Sequence, residues 1–214
     1  MAAVGCDQSS GPQRAESADG GVAGGRHQAG FWRIARIGRT AALLAAAVDE
    51  CRSTWDAQTA PLDAAAMSVR QWQVHIIAAN QLVAGKITLN QANAYWERTR
   101  IQAARKIHRF HHADDAYQAG PQSCRPPDAR GTSDASQAAL TACQASVAQR
   151  DDTLRAARAA IDTWHHHVTH MNLMPAGNRS PTRTAQRWNK YWKQGVAELH
   201  RYRTQARQIQ NQRC

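Results

Sequence analysis

Acidic residues are scarce in this 214-residue chain: 16 Asp and Glu stand against 27 Lys and Arg, for a formal net charge of +11. The few carboxylates are scattered, so no pair is spaced for general acid–base work. Nucleophile–base pairs and phosphate-cradling glycine loops are missing as well. An enzyme is therefore not expected. Alternating runs of Val, Ile, Thr and aromatics are absent, which excludes a strand-rich fold. No apolar run approaches the roughly 18 residues of a membrane span. The most apolar run, 41–48, follows Arg33, Arg36 and Arg39 in the manner of a signal peptide, but it is short and leads into the first helix of the body. Ala3-Val4-Gly5-Cys6 looks like the end of a lipoprotein cleavage box with no hydrophobic region ahead of it, as a start assigned too far downstream would leave it. No clear export signal is read.

What the sequence does contain is Ala, Arg and Gln in abundance, all good helix formers, so the expectation is an all-α protein. The first thirty residues are rich in Gly, with Ser and Gln interspersed and no hydrophobic periodicity, and such a segment cannot bury enough apolar surface to offset its ordering entropy. Residues 1–40 therefore read as a disordered N-terminal segment. The basic balance favours polyanionic partners: nucleic acid, anionic lipid headgroups or acidic wall polymers. Arginine-rich codon usage gives the same balance with no partner.

The body is duplicated. Trp72 and Trp164 stand 92 positions apart, and the same offset relates His75 to His167, Asn80 to Asn172, Gly85 to Gly177, Trp96 to Trp188, His108 to His200 and Cys51 to Cys143. Conservative pairs fill in between: Val69 with Ile161, Ile76 with Val168, Ile107 with Leu199, Phe110 with Tyr202. Val69, Trp72, Ile76, Ala79 and Val83 recur at three- and four-residue steps, one face of a helix. Gly85 and Gly177 can end the first helix of each unit because they tolerate positive φ. Thr88 and Ser180 cap the next, Thr88 in a capping box with Gln91 and Ser180 ahead of Pro181. The second helix carries Ala92, Trp96, Thr99, Ala103, Ile107 and Phe110 inward, and its counterpart Trp188, Tyr191, Gly195, Leu199 and Tyr202. Turns this short make the two helices antiparallel. The expectation is tandem long antiparallel hairpins forming a four-helix-bundle-like body: repeat 1 over 41–119, a Gly/Pro-marked linker over 120–132 and repeat 2 over 133–214. Pro61, opposite Thr153 of the second copy, predicts a kink or break in the first helix. Pro175 predicts an early end to the corresponding helix of repeat 2.

Cys51 and Cys124 are nearly equidistant from the first turn, and Cys143 and Cys214 from the second. An antiparallel hairpin brings such residues side by side, so the spacing predicts disulfides Cys51–Cys124 and Cys143–Cys214. Each loop of about 70 residues gains roughly 4 kcal/mol in the chain-entropy model. Disulfides point to an oxidising, extracytoplasmic or cell-surface location. The lack of a clear signal peptide points instead to the cytoplasm. Cys6 is left over, either free or a lipid anchor.

Three groups of residues could carry chemistry. Trp72, His75 and Trp96 should cluster, as should Trp164, His167 and Trp188. One reading is a paired-histidine site between the copies for a metal or small ligand. The other is a hydrogen-bonded core histidine packed on rings. His166, His167, His170 and Met171 crowd one segment near His165 and Met174, and His108, His111, His112 and Asp115 form a second cluster. Imidazole with thioether suits copper, and imidazole alone suits zinc. The first copy has Val74 and Ala78 in place of His166 and His170, so this crowd is not part of the repeat. Arg179, Arg183, Arg187 and Lys190 make one stripe on the last helix, extended by Lys193, Arg201, Arg203 and Arg207. Such a stripe can grip phosphates with strong salt dependence, or be a solvated face.

The pattern Trp-x-x-His, Ala-Gly-x-x-Thr/Ser, Trp is borne by Trp72, His75, Ala84, Gly85, Thr88 and Trp96, and by Trp164, His167, Ala176, Gly177, Ser180 and Trp188. It resembles uncharacterised duplicated helical proteins of high-GC actinobacteria, over roughly residues 42–214. The resemblance implies a duplicated helical fold and no activity or cofactor. The function expected from the residues is a non-enzymatic, disulfide-stapled binding or structural module without a resident cofactor. The alternatives are a cytoplasmic nucleic-acid or other polyanion binder using the C-terminal stripe, and a zinc- or copper-binding helical bundle.

Overall fold

The computed structural model describes residues 25–122, 124, 134–173 and 181–214, with side chains from residue 41 onward except at 134, 173, 181, 182, 184 and 185. Among the described residues there are helices and no strands: α1 (Gly25–Ala57), α2 (Thr59–Val83), α3 (Leu89–Arg100), α4 (Ala103–Ala119), α5 (Asp134–Leu173) and α6 (Pro181–Gln208). The protein is all-α, as its composition predicts. α1 begins at Gly25, so helix extends into the segment expected to be disordered; Ala and Arg, frequent from Arg26 to Ala41, favour that conformation.

A break accompanies Pro61, and its cause is visible. Pro61 has no N–H to offer the Ala57 carbonyl one turn earlier, and the helix is interrupted at Gln58 between α1 and α2. The path continues, because the Gln58 N–H bonds Thr54 O and the Leu62 N–H bonds Gln58 O, both at 3.2 Å. Repeat 2 has Thr153 at the equivalent place, and α5 runs through it for 40 residues without a break.

α2 ends in a Schellman turn: the Gly85 N–H bonds Leu82 O at 2.9 Å and the Lys86 N–H bonds Gln81 O at 2.8 Å, with Gly85 at φ +66°. The Thr88 capping box forms, the Gln91 N–H donating to Thr88 Oγ1 and the Thr88 N–H to Gln91 Oε1. The matching turn of repeat 2, with Pro175, Gly177 and Ser180, lies outside the described residues, as do Met174 and Arg179.

The second helix of repeat 1 departs from expectation. Rather than running unbroken to Phe110, it divides into α3 and α4 at Ile101 and Gln102, and Gln102 adopts a left-handed φ of 71°. The buried amide of Gln71 on α2 takes up the freed backbone: its Nε2 donates to Thr99 O at 2.5 Å and to Ile101 O at 2.9 Å. The residue equivalent to Gln71 in repeat 2 is Thr163, too short to do this. There Gln194, the counterpart of Gln102, donates to Thr163 Oγ1 at 2.9 Å, and α6 stays continuous.

α2 and α5 lie side by side at the centre, α3 and α4 fold back on α2, and α6 folds back on α5. Their shared core contains Val69, Trp72 and Ile76 of α2, Ile107 and Phe110 of α4, Leu154, Ile161, Trp164 and Val168 of α5, and Leu199 and Tyr202 of α6. At the end away from the turns both expected disulfides form, Cys51–Cys124 and Cys143–Cys214, with Cα atoms 4.2 and 4.3 Å apart. The four cysteines share one apolar cluster with Leu44, Ala47 and Leu140. Equivalent residues of α1/α2 and α5 therefore meet at both levels, Cys51 near Cys143 and His75 against His167, so these two helical paths run parallel.

Buried polar groups lock the alignment. Gln58 Nε2, at the α1–α2 break, lies 3.1 Å from Tyr117 Oη, 3.1 Å from Val147 O and 2.9 Å from Asp151 Oδ1. The Tyr117 hydroxyl donates to Asp151, and burial with that bond raises its pKa to about 12. Arg158 of α5 holds buried Asp114 of α4 through two bonds of 2.7 Å. This ion pair is bidentate and fixes α4 against α5.

Candidate functional site

Near the turn end, the two expected ring clusters merge into one that spans the duplication. Trp72 stacks on Trp164 with centroids 4.7 Å apart. Both rings are almost wholly buried. His75 and His167 face each other, Nε2 to Nε2, at 3.0 Å. Trp96 packs on His75 at 5.7 Å and Trp188 on His167 at the same distance. Trp96 and Trp188 meet edge to face at 6.1 Å. All six residues anticipated from the repeat thus form one contiguous group. Gly195 makes room for it: a Cβ there would stand 2.4 Å from Trp72 Cζ2.

The hydrogen bonds fix where the imidazole protons sit. The Thr99 hydroxyl points its proton at backbone carbonyls, Tyr95 O at 3.0 Å and Trp96 O at 2.9 Å. It therefore accepts from His75 Nδ1 at 2.9 Å. A neutral His75 protonated at Nδ1 has a bare Nε2, which accepts the proton of His167 Nε2. Both rings are held neutral. Burial, with His167 nearby, pushes His75 down to about 2, and burial, with His170 nearby, pushes His167 down to about 4. Tyr191 replaces Thr99 in repeat 2, so His167 Nδ1 has no equivalent partner and is left unbonded. The indole N–H groups of Trp72, Trp164 and Trp188 also lack acceptors within the protein. Unsatisfied buried polar atoms cost about 1–3 kcal/mol each and are rare.

One side of this cluster opens into a cavity of about 310 Å³ between α2 and α6. Its walls are Trp72, His75, Trp96, His167, Trp188 and Trp192, with Ile76, Ala79, Leu82, Val83 and the polar Asn189 completing a mostly apolar lining. The Trp192 indole is pinned by Asn80, donating to Oδ1 at 2.8 Å. In the sequence Trp192 stands out only as a ring that, with Tyr191, interleaves with the basic stripe, and Asn80 only as a position shared with Asn172.

The histidine crowd does not converge. His166 is exposed and stacks beside His165 and Tyr191, with centroids 6.2 and 6.4 Å away. His167 points its Nε2 at His75 instead. His170 Nε2 lies 3.2 Å from an Arg187 amine, which presents a positive charge where a cation would have to sit. Met171 packs on the core. His111 approaches His165 at 6.2 Å between ring centroids. Among the described residues no three His, Cys, Asp or Glu side chains are grouped to hold a metal ion, and no helix is long and apolar enough to cross a membrane. Arg183, Arg187, Lys190, Lys193 and Arg201 are all exposed along α6.

Comparison of the chain with family models, curated proteins and solved structures finds no match.

Proposed function

We propose that this protein is a non-enzymatic binding module, stapled by its two disulfides for service outside the cytoplasm, and that its site is the aromatic cavity between α2 and α6. The observation that carries the reading is that cavity, about 310 Å³ of space walled by four tryptophans and two neutral histidines. A concave, largely apolar pocket with a few fixed polar groups is the usual form of a small-molecule site. The disulfides support the compartment, because thiol pairs persist in oxidising surroundings. The resemblance to duplicated actinobacterial helical proteins is carried within this proposal and adds no ligand to it. Calorimetric titration with decanoate and with 1-decanol tests the site: saturable binding of at least one amphiphile, lost in Trp188→Ala, is the expected result. No heat from decanoate at millimolar concentration, nor from 1-decanol up to its solubility limit, would sink the reading.

A further inference from the structure

The aromatic cavity has a neighbour with a different character. A second cavity, of about 380 Å³, lies along the same α2–α6 groove and shares the Ile76 wall. Asn80, which holds Trp192 of the first cavity, lines the second. Its apolar floor is Ile76, Ile77, Val196 and Leu199, while His200, Arg203 and Arg207 crown it. Both arginines are exposed, and neither forms an ion pair among the described residues. No Asp or Glu lines either cavity. Four indole rings could attract an organic cation. Such a cation would meet no counter-charge here, two guanidiniums at the groove's far end, and a chain of net charge +11.

The duplication shows that this combination is peculiar to one groove. At the 92-residue offset, Trp192 corresponds to Arg100 and Asn189 to Glu97, and those two form an exposed ion pair at 2.7 Å. Arg203 and Arg207 correspond to His111 and Asp115. The pseudo-equivalent groove thus has an ion pair where this one has Trp192 and Asn189, and an acid where this one has a guanidinium. The polar tie survives in both: Arg100 donates to Asn172 as Trp192 donates to Asn80. The scaffold and the Trp–His cluster are common, and Trp192 and the two arginines are not.

Resting on the binding reading above, we infer that the ligand is a free amphipathic anion whose apolar body fills the tryptophan cavity and whose acidic headgroup lies against Arg203 and Arg207. A charge-assisted bond to an arginine exceeds a neutral one, so the headgroup adds affinity as well as orientation.

The test compares decanoate with 1-decanol, equal in chain length and different in charge, by calorimetry on the full chain with its disulfides intact. The expected result is at least tenfold tighter binding of decanoate, with the advantage erased in Arg203→Gln/Arg207→Gln and alcohol binding unchanged there. Both side chains are exposed, so the double variant should keep the parent's circular dichroism. Equal affinities overturn the headgroup assignment while leaving the cavity reading intact. A decanoate preference that persists in the double variant overturns it too. Absence of binding by either probe overturns both readings. Sedimentation with phosphatidylglycerol vesicles, without binding of free decanoate, would replace the free ligand with a membrane surface.

Discussion

The two copies of the hairpin share a skeleton and differ in their continuity and in the grooves they present. Repeat 2 has unbroken helices: Thr153 stands where Pro61 interrupts repeat 1, and α6 runs straight where α3 and α4 part. In repeat 1 the buried Gln71 amide takes up the backbone freed at the second break, while the Gln58 amide at the first ties it to α4 and α5. The copies agree at the stacked tryptophans, the facing histidines, the Asn ties and the closing cysteines. They differ at Thr99/Tyr191, Ala103/Gly195, Arg100/Trp192 and His111/Arg203. The agreements build the body and the differences shape one groove.

The largest expected effect concerns a shared feature, the histidine pair. Both folded-state pKa values lie below the ordinary 6.5 of an unfolded chain, at about 2 for His75 and about 4 for His167. The unfolded chain therefore binds more protons below pH 6.5. Stability is fully present above that pH and falls by about 1.4 kcal/mol per pH unit per histidine on acidification, until each folded-state pKa is reached. Urea unfolding followed from pH 7 to about pH 4.5 should show this decline, and His75→Gln/His167→Gln should flatten it.

Next come the staples. Their closed loops are nearly the same, with sequence separations of 73 and 71, so Cys51→Ser/Cys124→Ser and Cys143→Ser/Cys214→Ser should each lower stability by about 4 kcal/mol. Unequal losses in chemical denaturation would show that one repeat depends on its staple more than the other.

A smaller effect separates the copies at one position. In an open helix Gly→Ala gains about 1 kcal/mol. Gly195→Ala should instead destabilise by about 1–3 kcal/mol, because the new methyl meets the Trp72 ring at 2.4 Å. A rise in the thermal midpoint would break the close-packing account. Smallest is the pair Thr99→Val and Tyr191→Phe. The first removes the acceptor of His75 and should cost about 1 kcal/mol; the second has no such bond to lose and should change stability little. Urea midpoints of the two single variants check the contrast.

Much of the skeleton was legible because duplication reports itself. Identical Trp, His, Gly and Cys at one offset located the turn, the ring cluster and both disulfides, and Pro61 announced its break. The α3–α4 interruption was hidden, since nothing local to Ile101 or Gln102 forbids a helix; its cause is Gln71, which lies on another element and reaches across. The cavity was hidden for a related reason. Trp192 belongs to no repeat pair, and its placement beside Trp96 depends on how two hairpins dock rather than on the pattern within either. The histidine crowd misled in the opposite direction, because helical spacing places His166 and His170 near one side without saying that Arg187 waits there.

The central claim is that the cavity which the shared Trp–His cluster forms with the unshared Trp192 is the binding site. Indole N–H signals in a 15N–1H correlation spectrum, followed during titration with decanoate, test it most directly. The account predicts that the signals of Trp96, Trp188 and Trp192, which wall the cavity, shift with saturation, while that of Trp55, packed under Arg150, stays in place. Cavity indoles that remain unmoved, or a shift confined to Trp55, would contradict it.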